Sequence, residues 1–211
     1  MKEPIVLIGG GGHCISCIDV IELTGQYEIA GILDQKEKIG QSVLNYMVTG
    51  SDESIKKLAA KGYNFLITVG QIKSSNIRRK IFEQVKKEGG KLPVIISPLA
   101  YVSKYATVAE GTIVMHHVLV NANASVGKSS IINSKALIEH ETTVGDFCHI
   151  STGAKINGQA DIGGDCFIGS NATVGNNISV CEKTIVTAGS QVLKNIRLSG
   201  VYIGNPLRKI R

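Results

Sequence analysis

From Val102 to Val192 every sixth residue is Val or Ile, sixteen positions without a miss. Two residues ahead of each stands a mostly small partner, among them Ala100, Ala106, Ala124, Ala136, Cys148, Ala154, Ala160, Cys166, Ala172 and Ser190. Residues i and i−2 of a strand face the same way, so the β-branched residue and its small neighbour both point into one narrow interior. A unit of one short strand plus one corner, repeated at this period, is the signature of a parallel β-helix. With three units per turn the run makes roughly five coils, stacked backbone on backbone at about 4.8 Å. Corners call for backbone conformations that Gly and Asn tolerate best. Gly127, Gly145, Gly163, Gly169 and Gly175 directly follow the buried aliphatic, with Asn133 and Asn157 in the same place, so these residues are expected to make the corners.

Ahead of the repeat the pattern changes to alternating strands and helices. Ile5 to Ile8 reads as a buried strand ending in Gly9-Gly10-Gly11-Gly12-His13, followed by a helix through Ile15, Ile18, Ile21 and Leu23. A second strand, Ile29 to Leu33, ends at Asp34. A helix over 51–61 with Ser51 as its N-cap comes next, then a strand over 65–69 ending at Gly70, a helix over 74–88 stopped by Gly89-Gly90, and a last strand, Val94 to Ile96. This predicts a Rossmann-like α/β domain with a short parallel sheet over 1–97, joined to an all-β solenoid over 98–211 with a short C-terminal tail.

The net charge of +6 is spread evenly, with 13 basic and 10 acidic residues up to Ser97 and 10 and 7 beyond it. No basic run is interleaved with aromatics. A nucleic-acid partner is therefore not expected, and small phosphorylated molecules suit a mildly basic enzyme better. Met1 leads straight into an apolar strand, without a basic leader or a long apolar run, so the expectation is a soluble cytoplasmic protein with no membrane partner. Five cysteines form no disulfide framework. Cys14-x-x-Cys17 has no second pair to complete a zinc site, and no metal is expected.

A Gly-rich turn between the first strand and helix is where such sheets bind phosphate, because glycine admits close backbone approach and the helix N-terminus aims amides at an anion. Gly9-x-Gly11-x-x-Cys14 lacks the third glycine of the dinucleotide fingerprint, which leaves NAD unsupported. Asp34, at the end of the second strand, stands where a carboxylate can meet a ribose or sugar hydroxyl. His140 follows buried Ile138 by two residues and so falls at a corner, free of the core, with Glu141 beside it. His149 directly precedes Ile150 and points out of the prism. The nine residues between the two histidines are half a coil, so they share a site only where two chains meet, which points to a cyclic oligomer.

The Gly-rich βαβ domain, the solenoid, the motif Ile138-Glu139-His140-Glu141 with Val144-Gly145 and the ending Gly204-Asn205-Pro206 together resemble the NeuD/PglD-like bacterial sugar acyltransferases. Leu207 replaces the family's final alanine, and Ser97-Pro98 replaces its His-Pro. The resemblance implies a left-handed β-helix, acetyl-CoA as co-substrate and a homotrimer. It implies His140 as the base and Glu141 as its partner. His149, Gly158, Ser170 and Ala188 would line acetyl-CoA, with the Gly158 amide a candidate oxyanion donor. Gly11, Gly12, His13, Asp34, Gln35 and Gly70 would hold a nucleotide sugar. Arg208, Lys209 and Arg211 are candidates for the CoA phosphates, and His116 and His117 have no assigned role. The expected reaction is acetyl transfer to the amine of a nucleotide-linked amino sugar, a UDP-amino-dideoxysugar first. O-acetylation of a sialic acid is the near alternative, and a non-catalytic scaffold the distant one.

Overall fold

The computed structural model describes residues 2–205 and 207–210. Strand β1 (Glu3–Ile8) is apolar over Ile5 to Ile8 and fully buried there, as expected of the centre of a parallel sheet. Helix α1 (Gly12–Thr24) leads to β2 (Tyr27–Leu33), which pairs parallel with β1. The stretch between β2 and the next helix, for which the sequence pattern predicts no element, holds a hairpin, β3 (Ser42–Val43) and β4 (Tyr46–Gly50), whose second strand pairs parallel with β2. A 3-10 turn (Asp52–Ser54) precedes the short α2 (Ile55–Ala60), and Ser51 makes no side-chain cap. Strand β5 (Asn64–Ile67) pairs with the other edge of β1, and α3 (Asn76–Lys87) follows. The sheet order is β3-β4-β2-β1-β5.

The expected last strand of this sheet is absent from it. Ile95–Ile96 (β6) instead pairs with Ile113–Val114 and forms the first rung of the solenoid. An apolar triplet carries no address, and the rung is set where the Ile95 and Ser97 amides donate to the Thr112 and Val114 carbonyls.

Three sheets wind into a left-handed prism, stacked in strict register from coil to coil. Face one carries Ile113–Val114, Ile131–Ile132, His149–Ile150, Phe167–Ile168 and Ile185–Val186. Face two carries Tyr101–Val102 through Gln191–Val192, and face three Thr107–Val108 through Ser179–Val180. From Val114 onward the sixth-residue aliphatics are buried to within a few per cent.

The corners differ from expectation in one respect. Positive φ falls on the third residue after the aliphatic, at His117, Asn123, Lys135, Glu141, Phe147 and Gln159 among others, and the glycines that directly follow it are not left-handed. Those glycines serve close packing between coils. A Cβ on Gly145 would lie 2.6 Å from the Gly164 amide nitrogen of the next coil, and one on Gly127 2.5 Å from that of Asp146.

The first sheet and its helices pack on face one and reach both of its edges. His116 meets Asp19 of α1 at 2.7 Å, while from α3 Arg79 meets Asp165 at 2.8 Å and lies over the Phe147 ring, which Phe82 approaches edge-on. The edge between faces two and three, which carries His140, stays free. Among the described residues no helix is long and apolar enough to cross a membrane.

Candidate functional site

The Gly-rich turn opens a cleft of about 730 Å³ lined by Gly9, Gly11, Gly12, His13, Asp34, Gln35 and Gly70 together with Lys36, Lys38, Asp52 and Ile77. Gly9 has φ +109, and a Cβ there would strike Val69 at 2.5 Å, so only glycine lets β1 turn this closely past the end of β5. The α1 N-terminus carries no side-chain cap and no acidic residue in its first turn, which leaves its dipole open to an anion.

Asp34 is more occupied than a free sugar acceptor. Its Oδ2 accepts from the Gly10 amide at 2.7 Å and from Lys38 Nζ at 3.0 Å, and its Oδ1 from the Gln35 amide at 2.7 Å. Burial pushes its carboxyl up, but the Gln35 and Gly10 amides and Lys38 outweigh that and hold it below the usual range. Asp34 therefore braces the turn first.

His13 and Gly70 also line a second cleft, of about 540 Å³, with Ser16, Gln71, Asn133, Ser134, His149 and Thr152. The two clefts thus meet at His13 and Gly70. His149 leaves the prism as expected but is covered by the first domain and only 8% exposed. Its Nδ1 donates to the Gln71 carbonyl at 2.6 Å, which makes Nε2 the acceptor for Asn133 Nδ2 at 3.2 Å. The Asn133 amide is oriented in turn, because its Oδ1 accepts from the Ser134 amide. Burial and then the Arg78 charge lower His149 to about 4, although the Gln71 carbonyl acts the other way. Burial, Arg78 and His149 lower His13 to about 3. Both rings are neutral at physiological pH. The Cys17 thiol lies 3.4 Å from His13 Nε2, and burial raises it far above the thiol range, so it stays protonated. Cys14 and Cys17 are buried free thiols of α1, and among the described residues no three His, Cys, Asp or Glu side chains group as a metal site requires.

His140 lies on the free edge and is exposed. Its Nδ1 donates to Glu141 Oε2 at 3.1 Å, which Gln159 Nε2 also approaches at 3.2 Å. That fixes Nε2 as the free lone pair. One coil further on, Gly158 sits against the ring: a Cβ there would lie 2.7 Å from Nε2 and from Cε1. His140 and Gly158 therefore share one edge. Ser134, Thr152, Ser170 and Ala188 climb the edge between faces one and two, each coil bonded to the next by backbone, from Gly153 N to the Ser134 carbonyl, Asn171 N to Thr152 and Gly189 N to Ser170. Ser170 Oγ also meets Ser151 Oγ at 2.9 Å. His149 belongs with that second edge, so the residues expected to line acetyl-CoA split, with Gly158 beside His140 and the other three one edge away.

Sequence reasoning passed over Arg78, Gln71 and Asn133. Arg78 had a readable signal, since it shares the buried stripe of α3 with Ile81, Phe82 and Val85 at helical spacing. Ser97, His116 and Asp19 form a hydrogen-bonded chain with the connectivity of a hydrolase triad, with 2.7 Å links on both sides of the imidazole. Ser97 is buried and its Oγ accepts from the Leu99 amide, so it presents no nucleophile. Lys209 lies beside Lys194 and Tyr202 in a small cavity at the far end of the solenoid. Pro206 of the terminal motif and Arg211 lie outside the described residues.

The chain thus has two parts, a Gly-turn cleft seated on a hexapeptide prism and an exposed His-Glu pair on that prism's free edge. Residues 4–85 match the PglD N-terminal domain. PerB from Caulobacter crescentus, solved in complex with CoA and GDP-perosamine, is 29% identical and superposes with a TM-score of 0.92 over 100% of this chain and 99% of its own. The acetyltransferase domain of PglB from Neisseria gonorrhoeae FA1090, in complex with acetyl coenzyme A, is 28% identical with a TM-score of 0.91 and covers both chains fully. The UDP-N-acetylbacillosamine N-acetyltransferase of Bacillus subtilis (strain 168) is 29% identical over 115 residues, 54% of this chain and 51% of the relative, so the match spans about half the length of that curated protein. This chain therefore matches the PglD N-terminal domain over its first part and shares the whole two-part architecture of PerB and of the PglB acetyltransferase domain.

Proposed function

We propose that the protein transfers an acetyl group from acetyl-CoA to the amine of a nucleotide-linked amino sugar, in one step, with His140 as general base. The observation that carries this reading is the His140 ring itself, exposed on a rigid corner, its Nδ1 held by Glu141 and its Nε2 lone pair free above Gly158. An amine attacking a thioester must lose a proton as the carbon–nitrogen bond forms. A neutral imidazole with a presented lone pair takes that proton, which is worth roughly 10²–10⁴ in rate. The carbon–sulfur bond then breaks and CoA leaves as the thiol.

The two clefts joined at His13 and Gly70 support the choice of acceptor. Nucleoside diphosphate lies along Gly11, Gly12 and Gln35, held by the turn that Asp34 braces, and the sugar runs past His13 toward His149. In the same reading the edge of Ser170 and Ala188 carries acetyl-CoA. His140 and Gly158 stand one edge away from it, so the working site takes His140 from a second copy, and a homotrimer closes the ring. PerB holds CoA and GDP-perosamine together and the PglB domain holds acetyl coenzyme A, which agrees with this pairing of substrates.

Thiol release from acetyl-CoA, measured across UDP-, GDP- and dTDP-amino sugars and free sialic acids, is expected to be strong with one or more nucleotide amino sugars. Turnover on free sialic acid alone would overturn the acceptor. His140→Ala is expected to lower turnover by at least about 10²-fold while acetyl-CoA still binds; unchanged turnover refutes the base. A sedimenting monomer that is active at assay concentration refutes the shared site.

A further inference from the structure

We propose that Arg78 is a positioning residue, a clamp that fixes the 68–71 segment against the solenoid and so sets how the sugar end of the acceptor meets His149. The proposal rests on the function inferred above and adds a residue to it.

Arg78 is 1% exposed, which is unusual for a guanidinium. Among the described residues it makes no ion pair with a carboxylate, and all its bonds go to neutral oxygens. Nη1 donates to the Ile67 and Val69 carbonyls at 2.8 Å each, on the strand end that opens the segment. Nη2 donates to the Ser129 carbonyl at 2.7 Å and to Ser129 Oγ at 3.2 Å, on a solenoid corner. Nε is buried without a partner. A buried charge with no countercharge and one unmet donor is a poor source of stability, since an apolar side chain of like volume commonly does better. What the planar fork supplies is geometry, because two donors locked in one plane hold two backbones at a fixed offset.

The held segment is the one the site depends on. Gly70 lines both clefts, and Gln71 is tied down twice, its carbonyl accepting from His149 Nδ1 and its Nε2 donating to the Phe147 carbonyl at 2.7 Å. Arg78 thus reaches His149 through backbone: moving the segment moves the carbonyl that selects the imidazole tautomer. The cation also opposes a second positive charge on either ring. His149 is faced by His13 from α1, by Arg78 from α3 and by the neutral Gln71, Asn133 and Phe167. His13 is faced by Cys17, Arg78 and His149. Burial pulls the guanidinium itself down only to about 10, so it remains a cation at neutral pH.

The test uses the full chain carrying R78M, R78Q or R78K. Nitrogen-15 NMR of the imidazoles near neutral pH, without substrate, reads the His149 tautomer. Titration calorimetry reads UDP and GDP, and steady-state kinetics reads the nucleotide amino sugar and acetyl-CoA. R78M is expected to leave nucleoside diphosphate affinity within about twofold, to raise the amino-sugar KM by about tenfold or more, and to replace the single Nδ1–H pattern of His149 by a mixture. R78K, which keeps the charge and hydrogen-bond donors but lacks the planar fork, recovers only part of the KM. If R78M fails to fold, R78Q is read in the same way. A folded variant with the wild-type tautomer and KM overturns the proposal, as does an equal loss of affinity for every ligand. Absence of acetyl transfer by the wild-type protein to any amino sugar would sink the functional reading alone, because the tautomer still reports on Arg78.

Discussion

Gly158→Ala separates what the fold needs from what the chemistry needs. Gly158 has an ordinary backbone conformation, so alanine introduces no strain of its own. Its new methyl would stand 2.7 Å from His140 Nε2 and Cε1, and ordinary contact begins at 3.4 Å, so the ring has to retreat by about 0.7 Å. The ring is an exposed side chain that can swing aside. The stability cost is the exposed His140–Glu141 contact, about 0–1 kcal/mol, offset by the roughly 0.4–1 kcal/mol an alanine gains through the unfolded state. Net stability should stay within about 1 kcal/mol. Catalysis is less forgiving, because a misplacement of about 1 Å at a reacting group costs up to ~10²-fold. The expectation is a kcat down by roughly 10- to 100-fold with an unchanged urea midpoint, read by thiol release and by equilibrium unfolding. Wild-type kcat would refute the placement of His140 Nε2 at the reacting amine. It would also favour the Gly158 amide alone as the useful group, since alanine retains it.

Two further outcomes follow from the buried groups. His13 and His149 have folded values of about 3 and about 4, below the ordinary 6.5 of the unfolded chain. Between those values the unfolded state binds more protons, so stability rises with pH and is lost on acidification from about 6.5 toward about 4, on the order of 1 kcal/mol per pH unit for each histidine. Urea unfolding at several pH values should show this slope, and His149→Gln should flatten it; equal slopes in both proteins would count against a neutral buried ring. Asp34→Asn removes a charge-assisted brace from Gly10 and Lys38 and should weaken UDP or GDP binding by roughly tenfold. Calorimetry that finds undiminished affinity would exclude the brace as a determinant of the turn.

The solenoid was legible because a six-residue period forces each side chain in or out, and the same register put His140 on a corner. Local period carries no record of what lies across a seam. It placed His149 outside the prism without disclosing that α1 and the 68–71 segment cover it. It assigned Ile95–Ile96 to the first sheet because apolar strands look alike wherever they pair. It read the corner glycines as φ donors when they are clearance between coils, and left-handed conformations fall on Lys135, Glu141 and Phe147, where composition gives no warning. Asp34 was visible as an acid at a strand end. That its oxygens are taken by Gly10, Gln35 and Lys38 is a fact of three-dimensional proximity.

The stacked prism also decides where the molecule comes apart. Within the solenoid each coil bonds only to the coils above and below it, so opening proceeds from the ends inward like the fraying of a zipper. On the face that leads to the free edge, Leu137–Ile138 has rungs on both sides, down to Tyr101–Val102 and up to Gln191–Val192. His140 is therefore mounted at mid-stack. Terminal coils can breathe, exchange their amides and accept substitutions while the His140 corner keeps its geometry.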